Sequence, residues 1–260
     1  QSLSFHFKYA FRFSKESNLG RLFPHTYQGI GVSYHTFFSP AELGNPVSVY
    51  AFQGSRIAQL SPRLSLDYEW NFGASFGWKK YDELSNPQNV LIGSKINAYI
   101  NLGFLLNWQV HRYWKLAAGV DLTHFSNGNT HYPNGGLNVI GGRIGIVRTL
   151  GVDEVPGGVT PGRLFIKPHV SYDLVIYGAT RKRGLIGDDV SSMIPGSFGV
   201  AGINFAPMYN FNNYFRAGLS ADAQYDESAN LKEYRVGEYY LGDLKFHRPP
   251  FRKQDRKSVV

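Results

Sequence analysis

The sequence predicts an all-β protein, specifically an antiparallel transmembrane β-barrel of roughly 8–12 strands. Three observations predict it. Segment after segment alternates large apolar residues with polar ones at period two. Aromatic residues make up 15% of the chain and there are 29 glycines, a composition suited to strands, turns and aromatic girdles. No run of about eighteen apolar residues offers a spanning helix, and no 3.6-residue period separates the alternating segments. A parallel sheet covered by helices would read as continuous apolar runs. A two-sheet sandwich would alternate as well. The length of the segments and the charges on their second face fit a polar interior better.

The first segment sets Leu3, Phe5, Phe7, Tyr9, Phe11 and Phe13 against Ser4, His6, Lys8, Ala10 and Arg12. Shorter candidates follow at 27–37 and 47–59. Residues 62–78 put Leu64, Leu66, Tyr68, Trp70 and Phe72 opposite Arg63, Ser65, Asp67, Glu69 and Asn71. After a loop at 79–90, residues 92–109 carry Ile96, Ala98, Ile100, Leu102, Phe104, Leu106 and Trp108 on one face. A tight link at His111-Arg112 opens the segment 113–125. The next strand places Asn138, Ile140, Ile144 and Ile146 on one face and Arg143 on the other. A Pro/Gly-rich link at 151–162 precedes the segment 163–177. A polar loop at 178–195, a weaker strand at 197–207 and a segment at 211–225 complete the pattern. This gives about ten windows, and an eleventh would begin at Lys257. Such barrels usually have even counts and a terminal aromatic. Either one window is misread or the single barrel domain expected over 1–260 continues beyond Val260; if the protein is secreted, its signal peptide has already been removed.

There is no Cys, which removes disulfides, thiolate metal sites and cysteine nucleophiles. The histidines have no metal-ligand spacing, and neither a metal nor a cofactor is expected. The formal net charge is +8, and much of it lies in Arg181-Lys182-Arg183 and between Lys245 and Lys257. These clusters read either as solvated loops or as sites for anionic lipid. No nucleic-acid module accompanies them.

The stretch with chemistry in it is His124-Phe125-Ser126-Asn127-Gly128, followed by Pro133-Asn134 and Asn138. His124 and Ser126 are two apart on a strand, hence on one face and roughly 6.6 Å apart along it. Counting back by twos gives Leu122, Val120, Ala118, Leu116 and Trp114, all apolar. A polar pair thus sits at the rim of an apolar face. By itself such a pair is usually a pair of rim residues. Asn127-Gly128 and Pro133-Asn134 are also ordinary turn chemistry, and Trp70, Trp78, Trp108 and Trp114 suit interfacial girdles. A hairpin symmetric about His131 would set His124 directly opposite Asn138, with side chains about 5 Å apart.

The run His124-x-Ser126-Asn127 with Pro133-Asn134 and the Gly136-Leu137 step resembles the lipid A 3-O-deacylases, outer-membrane barrel esterases also grouped as acyloxyacyl hydrolases. Asn86-Pro87-Gln88-Asn89, Ile92-Gly93-Ser94 and Asn97 extend the likeness over residues 28–150. The resemblance implies Ser126 as nucleophile and His124 as base, with Asn127 and Asn134 near the oxyanion; backbone N–H groups of the Asn127-Gly128-Asn129 turn are further candidate oxyanion donors. The family carries a Glu twelve positions after the serine, and here that position is Asn138. The only acid between residues 84 and 152 is Asp121, whose parity turns it away from His124. Asn138 is then the candidate to orient the imidazole.

The expected function is an outer-membrane esterase that removes a 3-O-acyl chain from lipid A or lipopolysaccharide in the outer leaflet, with no nucleic-acid partner. The alternative is a catalytically inactive barrel, a structural or accessory subunit with outer-membrane protein partners. A small channel is a third class, weakened by charged residues crowding the interior face. Short links at 110–112 against long loops at 79–90 and 179–195 place the His124 end on the outside.

Overall fold

The computed structural model describes residues 1–150, 162–182, 184–186, 191–193 and 197–230. Among them the chain is almost wholly antiparallel β and divides into two compact units, residues 1–128 with 133–166, and residues 129–132 with 167–260. No described helix is long and apolar enough to cross a membrane, which says nothing against crossing by strands.

The first unit is one seven-stranded meander in sequence order. Its strands are β1 (Leu3–Phe11), β2 (Thr26–Thr36), β3 (Gly44–Ser61), β4 (Leu64–Trp78), β5 (Ile96–His111), β6 (Trp114–Ser126) and β7 (Leu137–Arg148). Its faces divide as the alternation predicts. Trp70, Phe72, Ile100, Leu102, Phe104 and Val120 are exposed on the outer face, while Ser65, Asp67, Glu69, Asn71, Asn97 and Asn101 are buried on the inner one. The sheet is strongly curled about that inner face. In a flat sheet β2 and β6 would lie about 19 Å apart, yet the His35 and Phe125 rings are 5.1 Å apart between centroids.

Two sets of side chains fill the inside of the curl. Toward the Ser126 end, Tyr50, Phe52, Trp78, Ile92, Tyr99 and Phe125 form an aromatic cluster. His35 packs into it and holds the Ser4, Ser33 and Ser48 hydroxyls. Further along is a charged network. Arg143 donates to Glu69 at 2.7 Å, Asp121 at 2.8 Å and Asn101 at 2.8 Å, and Lys8 pairs with the same Glu69. Asn101 in turn donates to Asp121 and Thr123. Buried charges persist only when paired and hydrogen-bonded, and these are both.

The second unit pairs β8 (His169–Arg181) with β11 (Phe198–Asn210), which also pairs with β12 (Arg216–Gly218) and β13 (Ala221–Asp226). A separate short hairpin joins β9 (Gly184–Ile186) to β10 (Ser191–Met193).

Several boundaries differ from those expected. Strand β1 stops at Phe11, and α1 (Asn18–Leu22) follows, capped by the Ser17 hydroxyl accepting from the Gly20 N–H at 3.0 Å. Strand β3 starts at Gly44, with a register break around Pro46, which has no N–H for the ladder. Strand β5 starts at Ile96 because 89–94 is held by side-chain hydrogen bonds instead of a ladder. The strand expected at 163–177 runs from His169, just past Pro168, to Arg181. The one expected at 211–225 is broken into β12 and β13 at Leu219-Ser220. The hairpin β9–β10 interrupts the polar loop expected at 178–195. Gly151 to Pro161, Arg183, the Lys245–Lys257 cluster and an eleventh strand at Lys257 lie outside the described residues.

Candidate active site

Strand β6 carries the site because its last turn of alternation changes character. Val120 and Leu122 are exposed apolar residues on the outer face, and His124 and Ser126 continue that face with polar groups. Phe125, between them, points inward and is 1% exposed. Its ring lies 5.0 Å from Trp78, 5.1 Å from His35 and 5.4 Å from Tyr99, so the strand carrying the polar pair is backed by packed aromatics.

The register with β7 pairs His124 with Asn138, as a hairpin symmetric about His131 requires. The imidazole Nδ1 and Asn138 Oδ1 are 2.7 Å apart. An amide oxygen can only accept, so Nδ1 carries the proton and Nε2 is left with a lone pair. On the other side β5 sets Ile100 beside His124 and Ala98 beside Ser126. Ile100, Leu122 and Ile140 make an exposed apolar apron around the imidazole. Among the described residues the Ser126 hydroxyl takes part in no hydrogen bond, leaving it open to the outer face. Asp121 is turned inward to Arg143 and Asn101, away from His124.

The loop after Ser126 is braced from within. The Asn127 N–H donates to Asn134 Oδ1 at 3.1 Å, and Asn127 Nδ2 approaches the Pro133 carbonyl at 3.5 Å. Asn127 is buried, whereas Gly128 is exposed and has φ +62°. With Asn134 Oδ1 engaged by that backbone, its Nδ2 remains as a donor with no partner among the described residues.

The sequence reading gave no role to Gly136 or to the loop beneath it. Gly136 has φ +67°, a conformation glycine adopts without strain. A Cβ there would sit 3.1 Å from His124 Cε1 and 3.8 Å from Ser126 Cβ, so its bare backbone forms one wall of the site. The Gly136 N–H donates to the Leu91 carbonyl at 3.3 Å. Leu91 is held by Asn89, whose Oδ1 accepts from the Leu91 and Ile92 N–H groups and whose Nδ2 donates to the Glu42 and Lys79 carbonyls. Asn86 braces the same loop through the Glu42 and Lys80 carbonyls. The Asn86-to-Asn89 run was visible in the sequence, but its role emerges only when this loop meets Gly136. Among the described residues no group of three or more His, Asp or Glu is placed to hold a metal ion.

Two family models match the chain: lipid A 3-O-deacylase (PagL) over residues 3–147 and the acyloxyacyl hydrolase C-terminal domain over residues 170–260. No curated protein and no solved structure matches it. The first model covers more than half of the chain and spans all seven strands of the first unit up to Val147. The chain therefore belongs to the lipid A 3-O-deacylase family, hydrolases built on an antiparallel outer-membrane β-barrel.

Proposed function

We propose that this chain, folded as a single barrel domain in a bacterial outer membrane, hydrolyses the 3-O-acyl ester of lipid A by a Ser126/His124 mechanism. The observation that carries the reading is the 2.7 Å contact between His124 Nδ1 and Asn138 Oδ1 on the exposed apolar face that also bears Ser126. A soluble substrate would be met on the inner face or the top loops. A pair on the outer face serves a substrate that approaches sideways, within the lipid.

Each group has a definite task. His124 Nε2 takes the proton from the Ser126 hydroxyl as Oγ attacks the ester carbonyl, forming a tetrahedral intermediate. The imidazolium then returns that proton to the departing sugar oxygen, leaving an acyl-serine. Water attacks this acyl-enzyme by the same route and releases the fatty acid. Asn138 holds Nδ1–H and so keeps Nε2 basic, as the neutral orienting amide does in Cys-His-Asn proteases. The oxyanion needs aimed donors. The Gly128 N–H and Asn134 Nδ2 suit this, while Asn127 braces the loop that presents them. Ile100, Leu122 and Ile140 would receive the acyl chain.

The test is lipid A mass spectrometry after incubation with the wild-type protein and with Ser126→Ala, both folded in detergent. Loss of one ester-linked acyl chain with wild type and none with the variant supports the reading. Unchanged lipid A with both, in a demonstrably folded sample, rejects it and favours an inactive accessory barrel.

A further inference from the structure

The first unit's cations fall into two groups treated differently by the fold. Lys8 and Arg143, inside the curl, are matched by Glu69 and Asp121. At the end of the sheet opposite His124, the register collects cations scattered along the sequence. Arg12 follows β1, Arg63 lies in the β3–β4 link, Arg112 in the β5–β6 link, Lys115 next to the start of β6, and Arg148 closes β7. Arg163 joins them, because the Leu164 N–H donates to the Arg21 carbonyl beside α1. Asp67 is buried and takes the Ser65 hydroxyl. This leaves Glu16 as the exposed carboxylate at this end among the described residues of the unit. His25 reports the crowding: burial first, then the charges of Arg56, Arg12 and Arg163, hold its pKa below the usual imidazole value.

Three of these cations border hydrocarbon-like surface. Arg112 lies over the Tyr113 ring at 5.3 Å, Arg148 over Trp114 at 5.3 Å and Arg163 over Phe165 at 5.2 Å. The outer-face residues next to them, Trp108, Leu116 and Ile146, are exposed. Among the described residues the Arg12, Arg63, Arg112 and Arg148 guanidinium groups donate no hydrogen bond. These four guanidinium groups, forked donors with aromatics beside them at the edge of an apolar band, call for a partner that is anionic and continuous with hydrocarbon. A phospholipid headgroup meets both demands. A soluble acidic polymer meets only the first.

We propose that this end is a docking belt for anionic glycerophospholipid headgroups in the leaflet opposite the site. The proposal rests on the reading above that the sheet spans a bilayer with His124 and Ser126 at the far leaflet. By fixing the depth of the sheet, the belt holds Ser126 level with the ester of its substrate. Sequence runs alone point elsewhere, to Arg181–Arg183 and Lys245–Lys257. Of these, Arg181 is ion-paired with Asp226 at 3.0 Å.

The test is partition of the full chain into phosphatidylcholine vesicles with and without phosphatidylglycerol, followed by flotation and tryptophan fluorescence. Wild type should prefer the anionic vesicles, less so as salt rises. A surface cation near an anionic leaflet contributes about fivefold in affinity. The combined variant R63Q/R112Q/R148Q should therefore lose about 100-fold of the preference, and R63Q alone about fivefold. The control K79Q/K80Q/K95Q, at the site end, should keep the preference. Equal partition of wild type into both vesicles overturns the proposal, as does an equal loss in the control. Competition by polyglutamate as effective as by anionic vesicles also overturns it, assigning the ring to soluble acidic polymers. Hydrolysis in detergent micelles separates this from the deacylase reading. The belt variant should remain active there, and an inactive wild type that still prefers anionic vesicles sinks only the enzyme.

Discussion

Asn138 is the position where the proposed chemistry can be improved. The bond from His124 Nδ1–H to Asn138 Oδ1 already fixes the tautomer at 2.7 Å. What a neutral amide cannot supply is charge against the imidazolium that forms as Ser126 attacks. Asn138→Asp is isosteric and puts a carboxylate oxygen at the same point. At about 4 Å between charge centres the attraction is about 1 kcal/mol in water and about 4 kcal/mol at an effective dielectric of 20. Asn138 is exposed and His124 half-buried, so the gain lies between those limits, about 5-fold to 1,000-fold in rate. The loss of about 10⁴-fold on replacing the acid by an amide in a serine triad includes loss of the tautomer. Here the tautomer is already set, so the gain is smaller. Asn138→Leu removes the acceptor and frees the ring. Losing one hydrogen bond of about 1–1.5 kcal/mol should slow the reaction about tenfold. The assay is the initial rate of fatty-acid release from lipid A in micelles, with circular dichroism as the folding control. A folded Asn138→Asp no faster than wild type, or a folded Asn138→Leu equally fast, would refute the assignment of Asn138 as the orienting residue.

Other outcomes follow from the same geometry. Gly136→Ala adds about 1–2 kcal/mol of backbone strain at φ +67° and sets a methyl 3.1 Å from His124 Cε1; kcat should fall at least tenfold with KM little changed, read from saturation kinetics. Asn89→Ala removes the clamp on Leu91 and should lower kcat with less effect on unfolding in urea. Arg143→Met takes the shared cation from the buried Glu69 and the half-buried Asp121 while Lys8 stays on Glu69, and should cost about 3 kcal/mol of stability in detergent, measured by urea titration. In the 79–95 loop, Asp82 accepts from the Ser85 N–H and hydroxyl and the Leu84 N–H, which holds its pKa below the usual carboxylate value. A depressed folded pKa means the turn is supported above the ordinary carboxylate range and loosens as pH falls below it. Amide exchange at Ser85, normalised for the intrinsic rate, should accelerate there and not near neutrality.

Much of the fold was legible because membrane strands state their two environments residue by residue. Trp70, Phe72, Ile100 and Leu102 could be assigned to the outer face, and Glu69, Asn71 and Asn101 to the inner one, from parity alone. The position of Asn138 opposite His124 was legible too, since hairpin symmetry fixes it. What stayed hidden depends on contacts between segments. Gly136 reads as a turn glycine until the Leu91 carbonyl takes its N–H, and Asn89 reads as loop polarity until its four hydrogen bonds are traced. Arg63, Arg112 and Arg148 lie 49 and 36 positions apart and come to one end of the sheet only through register. Second-unit boundaries were harder, because exposed apolar residues such as Val175 and Ile176 break the alternation that marks an edge.

The same register holds both the fold and the candidate dyad. If β7 slipped by one residue against β6, Arg143 would turn from Glu69 and Asp121 toward the lipid-facing side. An arginine on that face costs about 2–4 kcal/mol near the midplane, and Asp121 and the buried Glu69 would lose their shared cation besides. The slip would also bring Leu137 or Val139 opposite His124 in place of Asn138, leaving Nδ1 without an acceptor. Formation of the Arg143 network therefore selects the register that joins His124 to Asn138, although that network shares no atom with them. An Arg143→Met chain should accordingly lose deacylation in parallel with its loss of folded signal across a urea titration. Activity that survives after the β6–β7 pairing has melted would show that the dyad does not depend on this register.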